Sequence, residues 1–148
     1  MEKKKIHVFN WYTADKSPVF SFDGHPQPIK EIDWFENDLG FTTCAADGAV
    51  FFWDLYNYSA EKKPEELKRH QDADFNVKNV AFTSVVNVPG RQYQVYVVGN
   101  DKKIHSNLKV KKEGVLGETT DEQHLSVPTM VSQLVITRSA KFLLAGAG

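Results

Sequence analysis

The chain has 148 residues, 41% hydrophobic and 25% charged, the balance of a folded globular protein rather than a disordered one. Its formal net charge of −1 supplies no basic field for nucleic acid and no polybasic patch for a membrane surface. The single cysteine, Cys44, excludes an internal disulfide and a multi-cysteine zinc site, and it suits a reducing compartment.

No apolar run reaches the ~18 residues of a membrane-spanning helix. The apolar segment 6–9 behind Met1-Glu2-Lys3-Lys4-Lys5 is too short for a signal-peptide core. A soluble, intracellular protein is therefore expected. From the N-terminus, residues 6–9 and 19–22 read as strands around a loop at 11–16. Gly24-His25 then leads into Ile29-Lys30-Glu31-Ile32-Asp33-Trp34, where Trp34 is expected to face the core. A second strand, 41–45, holds Cys44 as a small core residue. Asp47-Gly48 supplies the positive φ of a two-residue hairpin, and a third strand runs from Val50 into Trp53-Asp54-Leu55. A polar loop at 56–63 and an outer strand within 64–70 complete the unit. A weaker copy follows, with strands expected at 77–82, 93–99 and 104–110 and an outer strand near 125–127. Asn100-Asp101 takes the turn position there, Pro89-Gly90 extends a hairpin, and 111–123 reads as a long charged loop. Strands at 131–137 and 142–147 begin a further unit.

A Gly-His opening and a Trp-Asp close, separated by less than the ~40–45 residues of one repeat, resemble a WD40 blade. The resemblance implies an all-β fold: a WD40 β-propeller segment of about two complete and two partial four-stranded blades. A whole propeller needs typically 4–8 blades, so the segment is not expected to close a ring on its own. Residues 1–23 would end one blade, 24–70 form a complete blade, 71–128 a degenerate one, and 129–148 the first strands of another. Within the complete blade, His25, Thr43, Asp47 and Trp53 are assigned as a structural tetrad. Buried together, their polar groups can satisfy one another. Two blades with open edges would be an aggregation liability, so either a truncated segment of a longer protein or a ring completed by a second chain is expected.

The order Ile6-His7-Val8-Phe9, Phe22-Asp23-Gly24-His25, Asp47-Gly48-Ala49-Val50 and Trp53-Asp54-Leu55, followed by Gly99-Asn100-Asp101 and Leu134-Val135-Ile136, is similar to the WD40-bearing cilia- and flagella-associated proteins. The match falls in the late part of that family's second propeller. The resemblance implies a non-enzymatic scaffold of the ciliary or flagellar axoneme. Its partners would be dynein arms, doublet-microtubule-associated proteins and a second chain completing the propeller, with no nucleic acid and no membrane. The long coiled-coil tail of the family is not present in this sequence. The alternative is a cytosolic adaptor that binds a short peptide on the top face of its propeller.

No chemistry displaces that reading. Catalytic, cofactor-binding and metal sites are all expected to be none. The chain has no Gly-x-Ser-x-Gly elbow and no phosphate-cradling loop, and Gly146-Ala147-Gly148 reads as a strand end. His70, Asp72 and Asp74 have a suggestive spacing but fall short of the usual four zinc ligands. Asn57-Tyr58-Ser59 matches a glycosylation sequon only by chance in the absence of a secretory signal. Lys62-Lys63, Lys102-Lys103 and the lysines of 109–112 read as ordinary loop and edge charges. Trp11, Tyr12, Phe35, Tyr56 and Tyr58 lie in or beside expected loops and are the candidate partner contacts, because exposed aromatics are enriched at interfaces.

Overall fold

The computed structural model describes residues 4–9, 20–56, 66–69, 74–107, 109–111, 118–120 and 123–147, and every regular element among them is a strand. Trp11, Tyr12, Tyr58, Lys62-Lys63, the sequon and the 70–73 stretch lie outside the described residues. Strands β1 (Lys4–Val8) and β2 (Phe20–His25) form an antiparallel pair, blade 1. Blade 2 is the antiparallel run β3 (Ile29–Trp34), β4 (Gly40–Ala45), β5 (Ala49–Tyr56) and β6 (Glu66–Arg69). The short β7 (Phe75–Asn76) pairs with the start of β5. Blade 3 comprises β8 (Phe82–Asn87), β9 (Val95–Gly99), β10 (Lys103–Ser106) and β13 (Gln123–Ser126). Between its last two strands stands a separate hairpin, β11 (Lys109–Lys111) with β12 (Glu118–Thr120). Blade 4 is β14 (Val131–Ile136) with β15 (Leu143–Ala147).

These strands form where aromatic and β-branched residues cluster between turn residues. Gly48 holds φ at +80°, and a Cβ there would lie 2.1 Å from the Val77 carbonyl oxygen. Only glycine fits so tight a turn against a neighbouring backbone. Blade 2 is the best-filled element: every residue of β4 is buried.

The core lies between the blades rather than inside any one of them. Cys44, Val50 and Phe52 of blade 2 pack on Phe82, Val85 and Val97 of blade 3. Val86, Val98 and Ile104 of blade 3 pack on Val131 and Leu134 of blade 4. On the other side, Ile6 of blade 1 packs on Phe41, Trp53 and Leu55. Each such side chain contributes about 1.5–3 kcal/mol through burial, so the stacking of blades is the principal source of stability.

The structure corrects four expectations. The inner strand of blade 3 is β8 at Phe82–Asn87, not 77–82. Asn79 takes a positive φ of 64°, Val77 N–H bonds the Gly48 carbonyl, and Ala81 N–H bonds Asn100 Oδ1, so this stretch is spent in turns. The third strand ends at Ser106, and part of the expected charged loop forms the β11–β12 hairpin instead. Trp34, expected in the core, is 49% exposed. Phe35, a candidate contact, is 5% exposed and belongs to the core between blades 2 and 3. The two exchange roles because β3 alternates. Glu31 and Asp33 bond to Ser84 and Asn87 of β8, which turns Trp34 to the opposite face. The chain then leaves the strand, Phe35 N–H bonds the Gly40 carbonyl, and its ring turns inward onto Tyr93.

Candidate interaction surface

Three of the four tetrad residues come together. His25, at the end of β2, reaches across to β4, where its Nε2 lies 2.6 Å from Thr43 Oγ1. The Trp53 indole N–H donates to that same oxygen at 3.0 Å. Because the indole can only donate, it takes one lone pair of Thr43. The imidazole Nε2 takes up the hydroxyl's remaining capacity, accepting its hydrogen or donating to its second lone pair according to the ring tautomer. Asp47 stands apart: its Oδ1 accepts from Ala49 N–H within the hairpin turn, and His25 Nδ1 has no hydrogen-bond partner. Burial lowers the His25 pKa to about 4, against the opposing charge of Asp47 and with help from Arg69. The Phe51 ring stacks on the imidazole at 4.1 Å, the Arg69 guanidinium lies over the Phe51 ring at 4.2 Å, and His25 and Thr43 are fully buried. A neutral, buried histidine wedged in this way is a bracket between blades 1 and 2.

A second polar arrangement, not foreseen from the sequence, links the inner strands. Asn87 of β8 donates its backbone N–H to Asp33 Oδ2 at 2.8 Å, and its side-chain amide to the Asp33 and Trp34 carbonyls. Its own Oδ1 accepts from Thr42 at 2.6 Å. Ser84 donates to Glu31 and accepts from Leu134 N–H, so one hydroxyl ties three successive blades. Burial raises the pKa of both Asp33 and Glu31, while the bonds from Asn87 and Ser84 act in the other direction. The only sequence signal for this belt was the pair of acidic residues alternating with apolar ones in β3. In blade 3, Asp101 and His105 lie 2.6 Å apart, next to the Asn100-Asp101 turn.

The loops joining inner to second strands gather at the end of the blades opposite the Asp47-Gly48 turn. Between the loop after β3 and the loop after β8 lies a cleft of about 250 Å³ lined by Phe35, Glu36, Asn87, Arg91 and Tyr93. Gly90 N–H bonds Glu36 Oε2 at 2.8 Å and ties the two loops together. The Tyr93 hydroxyl reaches Asp54, and burial with that contact pushes the phenol up to about 12. A wider opening nearby carries Asp33, Glu36, Asp38 and Arg138. Cys44 is fully buried and its thiol is pushed up to about 12, mainly by burial, so it stays protonated and packs as a small apolar residue. Among the described residues, no three His, Cys, Asp or Glu side chains come close enough to hold a metal ion. Tyr56 ends β5, paired with Glu66.

Four antiparallel-stranded blades stacked face to face, joined outer strand to inner strand, define a β-propeller segment of WD40 type. No family model matches the chain. It superposes on the Cps50 (Swd1) β-propeller domain of Myceliophteria thermophila with a TM-score of 0.60 and 16% identity, covering 98% of this chain and 42% of that one. It also superposes on a chain of the mitotic checkpoint complex, with a TM-score of 0.54 and 18% identity over 88% of this chain and 35% of that one. In sequence it resembles cilia- and flagella-associated protein 57 A of Tetrahymena thermophila, 26% identical across 92% of this chain and 12% of that protein. Human elongator complex protein 2 is 25% identical across 76% of the chain and 14% of its own length. The Cryptococcus neoformans polyadenylation factor subunit 2 is 29% identical across 43% of the chain and 8% of its own length. The chain thus spans only a small part of each of these curated relatives.

Proposed function

We propose that this chain is a non-enzymatic scaffold of the ciliary axoneme, helping to hold inner-arm dynein and regulatory complexes on doublet microtubules. The observation that carries the reading is the similarity to a cilia- and flagella-associated protein along 92% of the chain. The architecture supports it. The polar side chains of Glu31, Asp33, Ser84 and Asn87 are engaged in joining blades, and several large apolar side chains, Ile32, Trp34, Val135 and Leu144 among them, stand exposed on sheet faces. A rigid stack with such faces works by shape: it positions partners and carries out no bond chemistry. A peptide reader would concentrate its cleft at the top face, at the Asp47-Gly48 end of the blades. The clefts described here sit at the other end.

The experiment is expression of the tagged chain in a ciliated cell, followed by detergent extraction. Retention on demembranated axonemes, with dynein or doublet proteins recovered by proximity labelling, is the expected result. A chain found only in the extracted cytoplasmic pool would overturn the axonemal role.

A further inference from the structure

We propose that the cleft between the loops after β3 and β8 docks a partner peptide bearing one bulky apolar side chain with a carboxylate one or two residues away. Such a site deepens the scaffold reading. It rests on that reading for the idea of a platform, and not for where in the cell the platform stands.

Both walls belong to blades 2 and 3, which pack on each other, so the cleft keeps its shape whatever stands beside blades 1 and 4. Phe35, Val88 and Tyr93 give it an apolar lining. At about 250 Å³ it falls below the ~300–1,000 Å³ of small-molecule sites, a size that suits one or two side chains. The walls are also set in advance. Tyr93 takes a φ of 62°, which bulky residues rarely adopt. Its carbonyl accepts from the Asn107 amide at 2.9 Å, and its hydroxyl donates to Asp54 at 3.0 Å. Its ring stands edge-on to Phe35 and Phe52. Across the cleft, Gly90 N–H fixes Glu36. A preformed wall lowers the ordering cost of binding.

Charge decides the partner. Of the two charged residues described on the cleft walls, Glu36 already accepts the Gly90 N–H. Arg91 is exposed, and its guanidinium has no hydrogen bond or ion pair among the described residues. The same end of blade 3 adds positive charge. β10 gives way there to Asn107, bonded to the Tyr93 carbonyl, and the β11–β12 hairpin follows. On that hairpin Lys109 and Lys111 stand in register with Thr120 and Glu118. Asp33 and Asp38 belong to the neighbouring opening, together with Arg138. An apolar side chain followed by Asp or Glu matches a cleft with an unpaired guanidinium at its rim, because a guanidinium can hold a carboxylate through two parallel bonds. A basic segment would set like charge against Arg91.

The test is selection from a random dodecapeptide display library on the full 148-residue chain, then fluorescence anisotropy of the labelled enriched peptide. The expected consensus is Leu, Met or Phe with Asp or Glu one or two places away, bound more weakly as salt rises. Arg91→Glu should weaken binding about tenfold or more, the scale of a lost charge-assisted hydrogen bond. Arg91→Lys should keep part of the affinity, and Gln92→Trp should block the cleft with an added ring. Arg91 and Gln92 are exposed loop residues, so strand circular dichroism should stay unchanged in all three variants. No enrichment, a consensus rich in Lys or Arg, a consensus without an apolar anchor, or binding indifferent to Arg91→Glu overturns the proposal. Peptide capture by a chain that is not retained on axonemes keeps the cleft assignment and removes the axonemal role. Retention without peptide capture does the reverse.

Discussion

Thr43 serves two partners with one oxygen, and that economy exposes the blade to single-atom damage. Thr43→Val keeps the shape but leaves the Trp53 indole N–H and His25 Nε2 buried without a partner. Stability should fall by about 1–3 kcal/mol, measured by urea denaturation. An unchanged midpoint would show that the network contributes only packing. His25 gives the same bracket a pH dependence. Its folded pKa of about 4 lies below the ~6.5 of a free imidazole, so the unfolded chain binds the extra proton first. Its contribution is whole above pH 6.5 and is lost as pH falls through the window from 6.5 to about 4. Melts of the wild type against His25→Gln at pH 7.5 and pH 5 should show the steeper loss in the wild type. Parallel pH profiles would refute a neutral buried His25. His25, Thr43 and Trp53 could be picked from the sequence because the Gly-His and Trp-Asp landmarks fix their strand positions. Asp47 went a different way because its carboxylate has a nearer donor, Ala49 N–H, inside its own turn.

At the scale of elements, the join between blades 2 and 3 depends on Asn87. Its amide and backbone N–H supply the bonds that the half-buried Asp33 carboxylate accepts, and its Oδ1 takes the Thr42 hydroxyl. Asn87→Ala should cost about 2–3 kcal/mol, since a charged acceptor loses its side-chain donor away from bulk water. A double-mutant cycle with Asp33→Ala should return a coupling of more than ~0.5 kcal/mol; additive effects would mean that the two residues act separately. The position of this strand was misjudged from the sequence. Residues 77–82 and 82–87 are both short apolar stretches, and periodicity alone does not rank them. What decides is the turn at Asn79 and the bonds that draw Val77 and Ala81 to Gly48 and Asn100, two partners remote in sequence. The β11–β12 hairpin was hidden for another reason: Lys109-Val110-Lys111 and Glu118-Thr119-Thr120 are charged and polar, so they carry no burial signal, and their pairing is cross-strand.

For the whole molecule, stability should be graded from the centre outward. Among the described residues, blades 2 and 3 are four-stranded and share the largest core, whereas blades 1 and 4 are two-stranded and pack on blades 2 and 3 respectively. Isolated two-stranded ribbons are marginal in water. Hydrogen exchange followed by mass spectrometry should find β4, β5 and β9 slowest, with β1–β2 and β14–β15 opening first. Uniform protection across the four blades in a monomer would contradict this grading.

The all-β class, the complete blade around Asp47-Gly48 and the buried role of Cys44 were set by the sequence alone, because turn glycines, short β-branched and aromatic runs and the Gly-His and Trp-Asp landmarks act locally. Only the tertiary structure decided which neighbouring residues face in or out. Trp34 and Phe35 differ by one position, and the choice between them is made by Ser84 and Asn87, some fifty residues away, which bond Glu31 and Asp33 and fix the pleat of β3. A strand has two faces of equal geometry, and the blade that packs against it determines which one is the core.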